Sequence, residues 1–131
     1  MSLFSFGKKA QLLVTATVAG IDERWTFKLK EDRVVIGRKE GYNPKDNKLF
    51  VIKEKEKISI ASVPITKMTI SREHCELVWD ARGRTYSVQP LSRREVLVNG
   101  HSLEWNEKAI LDDKFTISIG EGSLIKLQIL Y

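Results

Sequence analysis

The run HCELVWDARGRTYSVQ, residues 74–89, holds two strand-like segments on either side of a turn. In HCELVW (74–79) and RTYSVQ (84–89), apolar and aromatic side chains recur with the period of two expected of a half-buried strand. DARG stands between them, and its aspartate and glycine are turn formers. The same rhythm continues outward in both directions. QLLVTATVAG (11–20), RWTFKLK (24–30), RVVIG (33–37), EVLVN (95–99), KFTISI (114–119) and SLIKLQILY (123–131) are rich in β-branched and aromatic residues. GIDE, KED, VNGH, LDDK and GEG punctuate them, and no segment sustains an apolar stripe at helical spacing. Many short strands with hairpin-length connections predict an all-β fold, an antiparallel sandwich or barrel.

At 131 residues the chain suits one domain that can bury a core without staples. A hydrophobic share of 42% with 30% charged residues places it among globular rather than disordered chains. The single cysteine, Cys75, excludes an internal disulfide, so packing must hold the fold; a reducing compartment suits it. The formal net charge of +5 favours anionic partners without choosing among them. No apolar run approaches the roughly 20 residues of a membrane span. MSLFSFGKKAQ has too short an apolar part, and its charges on the wrong side, for a signal peptide.

One region breaks the rhythm. From Gly37 to Lys67 the chain opens with turn formers and continues through LFVIK, the run KEKEK and ISIAS. Over 38–57 the basic residues Arg38, Lys39, Lys45, Lys48, Lys53, Lys55 and Lys57 outnumber Glu40, Asp46, Glu54 and Glu56. The pattern reads as a long loop carrying a mobile hairpin with LFVIK and ISIAS as arms. KEKEK reads as a solvated edge that discourages strand pairing.

Ser71, His74 and Cys75 stand close together, which raises the question of catalysis. A cysteine nucleophile needs a base beside it in space. His74 and Cys75 are neighbours at the head of a strand, so their side chains point to opposite faces. Cys75 then reads as a small core residue. A Ser71–His74 pairing is geometrically open, but no G-x-S-x-G elbow surrounds the serine. With two histidines and one cysteine, a metal site lacks ligands.

Phosphate recognition fits the residue types better. Arg38 follows a strand ending in glycine, and its planar fork of donors suits phosphate. Ser71 and Arg72 add a hydroxyl and a second guanidinium at the far end of the next loop. Were both loops at one end of a sandwich, three donors would converge on a group carrying about −1.5 to −2 charge.

Gly37-Arg38, Ser71-Arg72-Glu73-His74 entering HCELVW, VLVNGHSL (96–103) and AILDDKFTISIG (109–120) resemble the forkhead-associated (FHA) domain. The resemblance runs from about residue 11 to 131, leaving 1–10 as an N-terminal extension and about 39–66 as an inserted loop or hairpin. It implies an antiparallel β-sandwich of about eleven strands and a phosphopeptide-binding module of phosphothreonine type, without catalysis or cofactor. It implies that Arg38 and Ser71 bind the phosphate, with Arg72 as an auxiliary contact. Gly37 would permit the backbone geometry beside Arg38, and His74 would brace the loop. Asn99-Gly100 is also explained locally, as a hairpin pair whose turn requires positive φ.

The sequence departs from the family pattern before that hairpin. Members usually carry D-x-x-S-x-N-G-T there, with the asparagine holding the peptide backbone. The corresponding stretch is Gln89 to Val96, with Arg93 and Arg94 where a small hydroxyl residue and that asparagine are expected. Both arginines are therefore candidate peptide contacts, suited to more acidic or multiply phosphorylated targets; the alternative is that they pair with local acids and the ligand groove is degenerate. The expected partner is a phosphorylated protein or peptide, met by a monomer inside the cell, in nucleus or cytoplasm. The alternative is an FHA-fold scaffold that binds an unphosphorylated partner through a sheet face or the inserted loop. Nucleic-acid binding is disfavoured, because basic residues are interspersed with acids and lack an interleaved aromatic platform.

Overall fold

The computed structural model describes residues 10–18, 21–38, 50–53, 57–61, 70–120 and 125–131. Twelve strands lie among them: β1 (Ala10–Val18), β2 (Ile21–Leu29), β3 (Arg33–Arg38), β4 (Phe50–Lys53), β5 (Lys57–Ala61), β6 (Cys75–Asp80), β7 (Thr85–Pro90), β8 (Val96–Val98), β9 (His101–Ser102), β10 (Ala109–Leu111), β11 (Thr116–Ile119) and β12 (Ile125–Leu130). They form two six-stranded sheets, ordered β2-β1-β12-β11-β8-β9 and β10-β7-β6-β3-β4-β5, with every pairing antiparallel. This is the expected sandwich. Among the described residues no helix is long and apolar enough to cross a membrane.

Alternation decides which face of each strand turns inward. Leu12, Val14 and Ala16 of β1, with Ile125, Leu127 and Ile129 of β12, are buried from one sheet. Val34 and Ile36 of β3, Leu77 of β6, and Tyr86 and Val88 of β7 meet them from the other, in one continuous core. A one-residue slip in any of these strands would turn its apolar set to water, so the register is strongly specified.

LFVIK and ISIAS pair as the two arms of a hairpin, β4 and β5. They extend the second sheet at its edge, with Gly37 opposite Val51 and Arg38 opposite Phe50. Backbone hydrogen bonding to β3 makes the hairpin part of the sheet. Residues 1–9, 39–49, 54–56 and 62–69, with the centre of KEKEK, lie outside the described residues.

Two local devices fix the end of the sandwich remote from Ser71. Asn99 (φ 50°) and Gly100 (φ 83°) form the two-residue turn from β8 to β9, both in the left-handed region. Asn99 Oδ1 also accepts the Thr116 N–H at 2.8 Å, tying the turn to β11. The Tyr131 hydroxyl accepts the Tyr86 N–H at 2.9 Å and donates to the Leu111 carbonyl, while the Tyr86 hydroxyl donates to the Glu31 carbonyl at 2.7 Å.

Candidate functional site

Antiparallel pairing brings the end of β3, the start of β6 and the end of β7 into one row, with Ile36 opposite Cys75 and Cys75 opposite Pro90. The chain on either side of that row carries Gly37-Arg38, Ser71 to His74, and the connection Leu91 to Glu95. These segments therefore share one end of the sandwich. Asn99 and Gly100 do not join them, because they close the opposite end of β8.

His74 fastens the three segments together. It is fully buried, and its backbone N–H donates to the Ile36 carbonyl at 2.9 Å while its carbonyl accepts the Leu91 N–H at 3.0 Å. Its ring works in two more directions. Nδ1 accepts the Ser71 N–H at 3.0 Å, which leaves the ring proton on Nε2, 2.9 Å from the Glu95 carbonyl it donates to. Burial pushes the imidazole pKa down; the Glu95 hydrogen bond pulls it up, and the positive charge of Arg94 pushes it down again. The neutral ring is thus the form that fits both bonds.

Gly37 sets the distance between β3 and the Ser71 loop. A Cβ built on Gly37 would overlap the Arg72 carbonyl and lie 2.7 Å from the Ser71 carbonyl oxygen. Those atoms are backbone and cannot swing aside, so only glycine fits here. Arg38, the next residue and the last of β3, therefore leaves the strand beside Ser71 and Arg72. Its side chain lies outside what the structure describes. Ser71 is half-buried and Arg72 exposed.

The geometry separates the serine, histidine and cysteine. His74 Nδ1 is engaged by the Ser71 backbone rather than its hydroxyl, so the ring does not activate that oxygen. Cys75 is fully buried in the core, and burial, aided by the Glu76 carboxylate, pushes its thiol up to about 12. At neutral pH it holds almost no thiolate, the reactive form. No group of three or more His, Cys, Asp or Glu side chains among the described residues could hold a metal ion.

Arg93 and Arg94 are both exposed on the Leu91–Glu95 connection. They line an open groove of about 600 Å³ whose other wall is Ser102, Leu103, Glu104 and Trp105. That wall is not legible in the sequence, where HSLEWNE reads only as the continuation of a hairpin. Its one signal is Trp105, a large aromatic set among turn-forming polar residues and 56% exposed.

The fold has known counterparts. The FHA domain of a hypothetical protein from Arabidopsis thaliana has a TM-score of 0.61 at 19% identity, covering 100% of this chain and 94% of that one. The N-terminal FHA domain of Rad53p from S. cerevisiae, in complex with a phosphothreonine peptide, has a TM-score of 0.55 at 16% identity, covering 91% of each chain. The yeast Dun1 FHA domain, in complex with a doubly phosphorylated peptide, has a TM-score of 0.55 at 16% identity, covering 93% of this chain and 74% of that one. No curated protein sequence matches the chain. At these identities the structural likeness speaks for the fold alone. The FHA domain family model, however, matches residues 34–120, a span that holds Gly37-Arg38, Ser71 to His74 and Asn99-Gly100. The chain belongs to the FHA domain family.

Proposed function

We propose that this domain is a phosphopeptide-binding module that recruits a phosphorylated partner protein and performs no chemistry on it. The phosphate is held by Arg38 and the Ser71 hydroxyl, with the exposed Arg72 guanidinium as an auxiliary contact. The observation that carries this reading is the close approach of Gly37 to the Ser71 and Arg72 carbonyls, which puts the end of β3 against the Ser71 loop. Membership of the FHA family supports it, as do the related Rad53p and Dun1 domains in complex with phosphorylated peptides. Residues 11–131 act as the binding unit.

Phosphothreonine is the expected residue, and its selection over phosphoserine is the finer part of the proposal. Titration of matched phosphothreonine, phosphoserine and unphosphorylated peptides tests both parts. The phosphorylated forms bind more tightly, and Arg38→Ala removes the difference. Equal binding of phosphorylated and unphosphorylated forms sinks the proposal.

A second reading is a scaffold for an unphosphorylated partner. It is favoured by the arginines standing where the family places its peptide-holding asparagine. Partner association that survives Arg38→Ala but is lost when Lys53, Lys55 and Lys57 are changed to serine selects this reading.

A further inference from the structure

The groove between the Leu91–Glu95 connection and the Ser102–Trp105 wall is built, not incidental. On one side, the His74 carbonyl accepts the Leu91 N–H and the His74 ring donates to the Glu95 carbonyl. Within that connection the Arg94 N–H donates to Ser92 Oγ at 3.3 Å. On the other side, the Leu103 N–H donates to the Val96 carbonyl at 2.9 Å, and the Glu104 N–H to the Glu107 carboxylate at 3.0 Å. The backbone on both walls is therefore fixed before any ligand arrives, which lowers the ordering cost of binding.

What this frame presents is two guanidinium groups beside an indole. Neither Arg93 nor Arg94 forms an ion pair among the described residues, although Glu95 and Glu104 line the same groove. Guanidinium is the side chain best matched to a carboxylate or phosphate, through two parallel hydrogen bonds. Trp105 supplies an apolar face for a neighbouring side chain. The two glutamates offset the arginines, so the groove carries no net charge. That balance disfavours a polyanion such as a nucleic-acid backbone, whose successive phosphates would meet both carboxylates. It suits one discrete anionic side chain.

We propose that this groove receives a second anionic residue, a glutamate, aspartate or second phosphorylated residue, from the segment whose phosphate docks at Arg38 and Ser71. The inference rests on the phosphopeptide reading above. It gives Arg93 and Arg94 a role that replaces backbone clamping: they read the charge of the segment flanking the phosphorylated residue.

Isothermal titration with synthetic peptides tests it. The reference is a phosphothreonine peptide with neutral flanks; the test set carries one glutamate, or a second phosphoserine, at each flanking position in turn. At one or a few adjacent positions glutamate raises affinity roughly two- to fivefold, and phosphoserine roughly tenfold. The Arg93→Ser, Arg94→Ser double variant loses that gain, binding the acidic peptides no more tightly than it binds the reference peptide. Trp105→Phe reports the same site, because its removal abolishes any fluorescence change specific to the acidic peptides. No gain at any position, or a gain that survives the double variant, overturns the groove assignment and leaves phosphate recognition standing. Binding of an unphosphorylated acidic peptide through Arg93 and Arg94, with no response to phosphate, overturns the phosphate reading instead.

Discussion

His74 accepts the Ser71 backbone N–H through Nδ1 while its Nε2 donates to the Glu95 carbonyl, so one buried ring joins two candidate binding segments. The bond to Ser71 holds the serine's main chain and leaves its hydroxyl unengaged by the ring. A group buried in the core thereby sets where the backbone of both candidate segments stands.

The protonation state of that ring should be visible in stability. The folded-state pKa of His74 lies below its ordinary value of 6.5. Above pH 6.5 the ring is neutral in both folded and unfolded chains, and its contribution is fully present. As pH falls below that value, the unfolded chain takes up a proton that the folded one refuses, and stability declines until the folded pKa is reached. The slope is at most about 1.4 kcal/mol per pH unit from this one group. Urea denaturation between pH 7.5 and 5 should show the decline, and His74→Asn should flatten it while lowering stability throughout. A slope unchanged by the substitution would show that His74 is not its source.

Gly37→Ala is expected to cost about 1–3 kcal/mol, the usual range for forcing a methyl group into a filled site. The colliding atoms are the Ser71 and Arg72 carbonyls, so the loop must move away from β3. Phosphopeptide affinity should fall along with the denaturation midpoint. A folded variant with native affinity would separate Gly37 from the binding site.

Asn99→Ala should do the opposite, lowering stability and sparing binding. Alanine at φ 50° costs about 1–2 kcal/mol in backbone strain, and the Thr116 N–H loses its acceptor. Asn99→Gly should recover the backbone part alone. Thermal melts of both variants, beside a peptide titration, check this order and the distance of the turn from the ligand.

Cys75 should resist alkylation in the native state. Its thiol is pushed up to about 12, and no part of it reaches solvent. Iodoacetamide at pH 8 should label it only after urea is added. Rapid labelling of the folded protein would contradict the core assignment.

Much of the fold can be read from the residues. Strands with a clear period of two, such as QLLVTATV and IKLQIL, needed no partner to identify them, and Asn99-Gly100 announces its turn. The short strands β9 and β10 are another matter, because two or three residues cannot display a period. They exist where the Val96–Val98 strand and the Thr85–Pro90 strand offer free backbone donors and acceptors. The β4–β5 hairpin shows the same limit. Its arms were legible, but whether they stood apart or joined the sheet depended on Gly37 and Arg38 meeting Val51 and Phe50.

For the site, the sequence alone determined the cast: a glycine–arginine at a strand end, a serine–arginine before a strand, and two arginines in place of a clamping asparagine. Residue chemistry and strand periodicity are properties of neighbours along the chain, so they survive in a linear reading. Only the tertiary structure decided that Gly37 is pressed against Arg72, that His74 spans from Ser71 to Glu95, and that Trp105 faces Arg93 and Arg94 across a groove. Those relationships join residues far apart in sequence, and the register of antiparallel strands, fixed by burying one apolar face of each, is what brings them together.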